Sequence, residues 1–334
     1  MDVTTVADDL VVLHQGTTVA RFEDLEPDTR YRLDEAEVRT LPRPPGALLC
    51  RFGSVNDVHF GEVECGRIGD ALNGPIRRVA TGELPHPETM NRAAADEMAA
   101  AGMAAVFVKG DLSVAGRPEE WAAFEACYRT PFADRLFVVR GNHDSYDGQH
   151  AYSGDQRVDL PGVTIALMDT AIPTKTTGRF TEAQADWLDA VAADADRPVV
   201  VMGHHQIWGG GHRSEAYFGI HPDDSERLLA VIARRRNIVA YTAGHTHRHR
   251  VRRIRATGTV PYVEVGCTKD FPGTWAEYRV YEGGLLQVVH RMSSPAALDW
   301  SESCRHLYAD FGVDYESYAL GTLEDRCFEI PLRS

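Results

Sequence analysis

The chain has 334 residues, 43% of them hydrophobic and 25% charged, and carries a formal charge of −14 at pH 7. These values suit one large α/β domain with an appendage, or two modest domains, and exclude a disordered, fibrous or repeat-built chain. The acidic balance lacks the basic field that phosphate-backbone contacts require, so no nucleic-acid polymer is expected as a partner.

Residues 1–9 lack the basic start and apolar core of a secretory signal, and no apolar run approaches the roughly 18–20 residues of a membrane span. The expectation is a soluble, cytoplasmic protein with no membrane partner. Short β-type runs follow at 10–14, 17–22 and 31–33, separated by turn residues such as Pro27-Asp28-Thr29. The string from Leu25 to Tyr31 resembles the L-x-P-x-T-x-Y turn of fibronectin type III modules, but this stretch is too short for a complete sandwich of about 100 residues. Proline fixes φ and removes donors, so Leu41-Pro42-Arg43-Pro44-Pro45-Gly46 marks the clearest boundary. Residues 1–45 are therefore expected to form a small β-rich appendage with a proline-rich linker, and 46–334 the main domain.

Beyond the linker, apolar runs at 48–55, 104–108, 136–139, 163–168, 199–202, 238–241 and 262–265 alternate with helical patterns. The helical patterns cover 88–101, 119–128, 182–193 and 223–235, and the third opens on a Thr181/Gln184 capping box. Such alternation predicts an α/β core with buried strands. Two further strand-like runs, 276–281 and 285–291, flank a Gly283-Gly284 turn. The arginines at 234–236 and 248–255 read as a helix end followed by an exposed strand face. Six cysteines occur without a CxxC pair, which in a cytoplasmic chain predicts reduced thiols.

Five short polar clusters each begin where an apolar run ends. They are Asp57-Val58-His59, Gly110-Asp111, Gly141-Asn142-His143-Asp144, Gly203-His204-His205 and Gly244-His245-Thr246-His247. In open α/β sheets, ligands bind beyond the carboxyl ends of strands, so the five should converge on one site. The glycines let the backbone turn sharply and let other groups approach closely. Carboxylates suit hard divalent ions and imidazoles suit Zn, Mn or Fe, so the mixture is that of a two-metal site. Singly each cluster is a weak signal; together they leave too many strand-end histidines without another explanation.

The ordered set D-x-H, G-D, G-N-H-[DE], G-H-H and G-H-x-H resembles the signature of the calcineurin-like metallophosphoesterases, over roughly residues 48–250. The resemblance implies a four-layer α/β/β/α sandwich and two divalent or trivalent metal ions, Mn, Fe or Zn. It further implies one metal held by Asp57, His59 and His247, a second held by Asn142, His204 and His245, and Asp111 bridging them. His143 would act as general acid or transition-state donor, and Asp144 would orient it. Asp169-Thr170 followed by Gly178, Gln184, Trp187 and Leu188 resembles a segment of bacterial cyclic-nucleotide phosphodiesterase relatives, and reads as packing rather than chemistry. Two departures stand out: Val114 replaces the ligating tyrosine of purple acid phosphatases, and Gln206 stands where many relatives have proline.

The function implied is hydrolysis of a small phosphodiester of the cyclic-nucleotide type by a metal-bound hydroxide. A phosphomonoesterase and a non-catalytic scaffold on the same fold are the alternatives. The pocket is expected to be shaped by loops at 60–69, 145–157, 173–179, 208–221 and 269–274. His205 and Lys269 are the substrate-contact candidates, with Lys175, Arg179 and His212 behind them.

Overall fold

The computed structural model describes residues 2–214 and 217–333; Glu215 and Ala216, in the expected 208–221 loop, lie outside them. Five short strands open the chain: β1 (Asp2–Val6), β2 (Val11–Gln15), β3 (Thr18–Phe22), β4 (Arg30–Leu33) and β5 (Ala36–Arg39). Next come β6 (Leu48–Val55), the two-residue strands β7 (Glu64–Cys65) and β8 (Arg77–Arg78), and helix α1 (His86–Ala100). The middle of the chain holds β9 (Val106–Lys109), α2 (Pro118–Phe132), β10 (Leu136–Val139), β11 (Gln156–Leu160), β12 (Val163–Met168) and α3 (Glu182–Asp194). It continues through β13 (Val199–Gly203), α4 (Pro222–Arg234), β14 (Ile238–Ala243), β15 (Arg250–Arg253) and β16 (Pro261–Glu264). The C-terminal part contains β17 (Thr274–Tyr281), β18 (Gly284–Arg291), α5 (Pro295–Ser303), α6 (Tyr315–Leu320), α7 (Leu323–Arg326) and β19 (Phe328–Pro331).

Two six-stranded sheets form the centre, in the orders β10-β9-β6-β17-β18-β19 and β11-β12-β13-β14-β16-β15. Strands β10, β9 and β6 run parallel, as do β12, β13, β14 and β16. Their buried faces share one apolar cluster, in which Phe52, Phe107 and Tyr278 of the first sheet meet Ile165, Met202 and Val263 of the second. A second cluster joins the first sheet to α1 and α2 through Met90, Met98, Phe124 and Tyr128. A third joins the second sheet to α3 and α4 through Leu188, Val191, Leu228 and Ile232. The packing therefore runs helix pair, sheet, sheet, helix pair, a mixed α/β fold as expected.

Local chemistry accounts for the element ends. Thr181 Oγ1 accepts from Gln184 N at 3.2 Å while Gln184 Oε1 accepts from Thr181 N at 3.0 Å, so α3 starts on the expected box. Pro222, Asp223 and Asp224 fill the first turn of α4, where a missing N–H costs nothing and carboxylates favour the helix dipole. Helix α2 continues past Tyr128 to Phe132, because both rings bury in the same cluster. The arginine-rich β15 is an edge strand paired antiparallel to β16. Arg248 binds Glu264 at 2.8 Å, while Arg234 and Arg235 both pair with Asp189.

Strands β1–β3 form a separate sheet whose apolar residues, Val6 to Leu13, cluster with Tyr281, Leu286, Val288 and Cys327. Ion pairs tie that contact down, for Arg279 Nη1 lies 2.6 Å from both Asp8 and Asp9. Strands β1, β5, β7, β8, β11 and β19 and helices α5–α7 were not expected from the sequence. All six cysteines are buried, and no disulfide forms among the described residues. No helix of the described residues is long and apolar enough to cross a membrane.

Candidate metal centre

All five clusters follow the carboxyl ends of parallel strands: β6, β9 and β10 in the first sheet, β13 and β14 in the second. The glycines before them are required by contact. A Cβ on Gly141 would fall 2.2 Å from Asp111 Oδ1, one on Gly110 2.6 Å from His204 Nδ1, and one on Gly244 2.7 Å from Asp57 Oδ2. Asp57, His59, Asp111, His245 and His247 all hold left-handed φ values between 47° and 68°. Each such backbone costs on the order of 1–3 kcal/mol for a non-glycine residue and persists only where the surroundings enforce it. Strain gathered on these five residues marks the site.

Asp111 lies at the centre. Its Oδ2 is 3.5 Å from His59 Nε2 and 3.3 Å from His204 Nε2, while its Oδ1 accepts from His143 N at 2.9 Å. Asn142 Oδ1 lies 3.1 Å from His204 Nε2, and its Nδ2 donates to Tyr146 Oη at 2.6 Å. His204 Nδ1 donates to the Lys109 carbonyl at 2.8 Å, which aims Nε2 at the centre. Asp57 accepts from Asn56 Nδ2 at 2.6 Å and from His245 N at 3.1 and 3.0 Å, and lies 3.5 Å from His247 Nε2. The potential ligand atoms of Asp57, His59 and His247 fall within 4.8 Å of one another, as do those of Asp57, Asp111 and His204. His204, His205 and His245 make a third such group.

Two buried carboxylates set the electrostatics: against burial, Asp111 brings His204 up to about 9 and Asp57 raises His247. Burial pushes the Asp57 carboxyl up, but His247 and His204 outweigh it and hold the group at about 2. Asp111 is likewise held well below the ordinary range, by His204 and His143 against burial. Burial pushes His59 down to about 4 and His245 well below the usual imidazole range, so both present neutral lone pairs. Both ring nitrogens of His59, and Nε2 of His245, are buried without a hydrogen-bond partner. Leaving such atoms unpaired costs about 1–3 kcal/mol each, and a bound metal is one of the few things that satisfies them. The residues present fit a metal pair.

The calcineurin-like phosphoesterase family profile matches residues 50–249, more than half the chain and every one of the five clusters. The chain belongs to that family. A Synechococcus protein named "Probable cyclic nucleotide phosphodiesterase" is 26% identical over 154 residues, covering 42% of this chain and 57% of the relative. A glycerophosphodiester phosphodiesterase of Enterobacter lignolyticus is 26% identical over 160 residues, covering 43% and 55%. The match thus spans just over half the length of these curated relatives. Among solved structures, a dimetal phosphatase from Danio rerio superposes with TM-score 0.54 at 15% identity, covering 73% of this chain and 97% of that one. A purple acid phosphatase from yellow lupin seeds gives 0.54 at 15%, covering 83% and 60%. At such identities the likeness carries the fold alone.

Within this calcineurin-like phosphoesterase, three of the expected site residues are tied to partners the sequence did not suggest. Asp144 does not touch the His143 ring. Its carboxylate accepts from Leu112 N at 3.0 Å, Ser113 N at 2.9 Å, Ser113 Oγ at 2.6 Å and Gly141 N at 2.8 Å, stapling the second cluster to the third. His143 is oriented by the Val114 carbonyl, which lies 2.8 Å from Nδ1. A carbonyl only accepts, so the proton sits on Nδ1 and Nε2 is left free. Lys269, expected as a substrate contact, is 4% exposed and paired with Glu62 at 2.8 Å and Asp270 at 3.1 Å. His205, the other candidate, is buried with Nδ1 2.9 Å from Thr170 Oγ1 and Nε2 3.2 Å from the Thr176 carbonyl.

The same contacts explain the Asp169-Thr170…Gly178…Gln184 segment. Thr170 holds His205, a Cβ on Gly178 would strike the His205 ring at 2.5 Å, and Gln184 Nε2 donates to the Asp169 carbonyl at 2.9 Å. It is packing behind the centre, as expected.

A cavity of about 290 Å³ opens over the centre, floored by Asp111, Asn142, His143, His245 and His247. Its walls include Tyr146, Phe218, Tyr308, Tyr315 and Tyr318; Lys175, Arg179 and His212 do not line it. Tyr146, Thr176 and Phe218 come from three of the expected loops, without having been singled out, whereas Asn56 and the three C-terminal tyrosines were missed. Asn56 adjoins a motif, and Tyr146 stands one helical turn beyond Asn142, so both carried a local signal; the tyrosines at 308–318 carried none.

Proposed function

We propose that this phosphoesterase hydrolyses a small phosphodiester of the cyclic-nucleotide type at a dinuclear metal centre. The observation that carries the reading is the Asp111 carboxylate oxygen lying between His59 Nε2 and His204 Nε2, at 3.5 and 3.3 Å. Asp57, His59 and His247 would hold one ion, Asn142, His204 and His245 the other, and Asp111 both. The mixed carboxylate, amide and imidazole set suits Mn, Fe or Zn. A bound metal pair supplies positive charge against the phosphoryl oxygens and lowers the pKa of water toward neutrality.

The remaining work falls to the chain. Val114 fixes the His143 ring with Nε2 unbonded, and His143 lines the cavity where a leaving oxygen would stand. Protonated, that nitrogen donates to the leaving oxygen as charge develops. Tyr146 Oη, held by Asn142 Nδ2, orients a phosphoryl oxygen. Both curated relatives bear phosphodiesterase names, which supports a diester over a monoester. Hydrolysis of bis(p-nitrophenyl) phosphate against p-nitrophenyl phosphate by metal-replete protein tests this. Diester cleavage with the higher kcat/KM is expected, and monoester cleavage alone would overturn it.

A further inference from the structure

Three of the aromatic residues in the cavity wall come from a segment beyond the family-matched residues. Tyr308, Tyr315 and Tyr318 come from a turn and α6, whereas the family match ends at residue 249. Tyr315 is buried and donates its hydroxyl to Asp270 Oδ1 at 3.0 Å. Tyr318 donates to the Thr246 carbonyl at 2.9 Å, between the two histidines of the last motif. The rings pack in series, Tyr308 edge-on to Tyr315 at 5.2 Å and Tyr315 near-parallel to Tyr318 at 6.2 Å and 22°. Tyr308 holds a left-handed φ of 63°. Tyr318 keeps 39% of its surface exposed, so part of the wall faces open space.

What the wall lacks is equally specific. Among the described lining residues there is no lysine or arginine. The nearby Arg248, 5.2 Å from the Tyr318 ring centre, is committed to Glu264. A phosphomonoester brings a second negative charge that no such side chain meets, whereas a diester brings one charge and a second organic group. Flat aromatic walls bind flat rings through stacking and burial, without demanding a particular hydrogen-bond pattern.

We infer that the 308–318 tyrosines form a ring-binding subsite, and that the substrate is a phosphodiester carrying a flat aromatic group such as a nucleobase. This rests on the phosphodiesterase reading above and names the residues that select its substrate. Tyr318 and Tyr308 are specificity residues rather than catalytic ones.

The test is calorimetric binding of phenyl phosphate and methyl phosphate to the metal-loaded full chain, run beside hydrolysis of the two nitrophenyl esters. Phenyl phosphate should bind about tenfold tighter than methyl phosphate, the order expected of one ring stacked on an aromatic side chain. Tyr318→Leu should bring the ratio within about twofold, and Tyr318→Phe should retain it, since the ring and not the hydroxyl makes the contact. Tyr308→Leu serves as a second variant should Tyr318→Leu misfold. A wild-type ratio near one, or a ratio untouched by both leucine variants, would overturn the subsite even if diesters are cleaved. A ring preference that depends on Tyr318 in a protein cleaving only p-nitrophenyl phosphate would uphold the subsite and overturn the diester reading.

Discussion

Asp111 Oδ2 lies 3.3 Å from His204 Nε2 although the two residues end strands of different sheets, β9 and β13. That contact joins the carboxyl edges of both sheets at one point, and a carboxylate there is placed to serve both halves of the centre. Asp111→Asn keeps the shape but loses a charge that five surrounding histidines and two metals would share. We expect kcat to fall on the order of a thousandfold, as removal of several kcal/mol of charge stabilisation implies. Steady-state kinetics on bis(p-nitrophenyl) phosphate reads this, and near-normal turnover would remove Asp111 from the centre.

His143 and Asp144 are neighbours with different work, and mutation should separate them. His143→Ala should lower kcat by about 10²- to 10⁴-fold, the usual share of a positioned acid or base, with the melting temperature little changed. Asp144→Ala strips four hydrogen bonds from buried donors and should cost roughly 3–5 kcal/mol of stability by denaturant titration. Equal stability losses in the two variants would contradict this division.

Lys269 is held between Glu62 and Asp270, all three nearly or fully buried. Lys269→Met leaves two buried carboxylates facing each other and should destabilise the fold by about 3–5 kcal/mol. Because Glu62 also lies 3.6 Å from His59 Nδ1, some loss of metal should accompany it. A variant that folds normally and only raises KM would restore Lys269 as a substrate contact.

Glu277 offers a pH signature remote from the centre. Burial raises its carboxyl, but His290 at 2.9 Å and Arg279 at 3.2 Å outweigh that and bring it from 4.5 to about 2. A folded pKa below the unfolded one contributes stability above pH 4.5 that is lost as pH falls toward 2. The contribution is about 3 kcal/mol, so Glu277→Gln should be least stable relative to the parent at neutral pH, the gap closing below pH 4. Unfolding curves between pH 7 and 3 read the gap directly.

The parts legible in the sequence were those with local causes. Apolar runs ending in Gly-Asp or Gly-His mark buried strands whose carboxyl ends carry ligands, because Gly110, Gly141 and Gly244 must admit a neighbour where a Cβ would collide. What escaped depended on distant partners. Lys269 looked free because Glu62 lies 207 residues earlier in the chain. Asp144 looked like a partner for the adjacent His143, but its four donors come from Leu112 and Ser113, in the loop before α2, and from Gly141. Tyr315 and Tyr318 reach the cavity because α6 packs on Asp270 and Thr246, and Tyr308 packs on Tyr315, which no periodicity announces.

The most direct test of the account is elemental analysis of the full chain purified without chelators, beside Asp111→Asn prepared in the same way. About two transition-metal ions per wild-type chain are expected, with a marked deficit in the variant. A wild-type chain that retains no metal, or a variant that retains both ions, would contradict it.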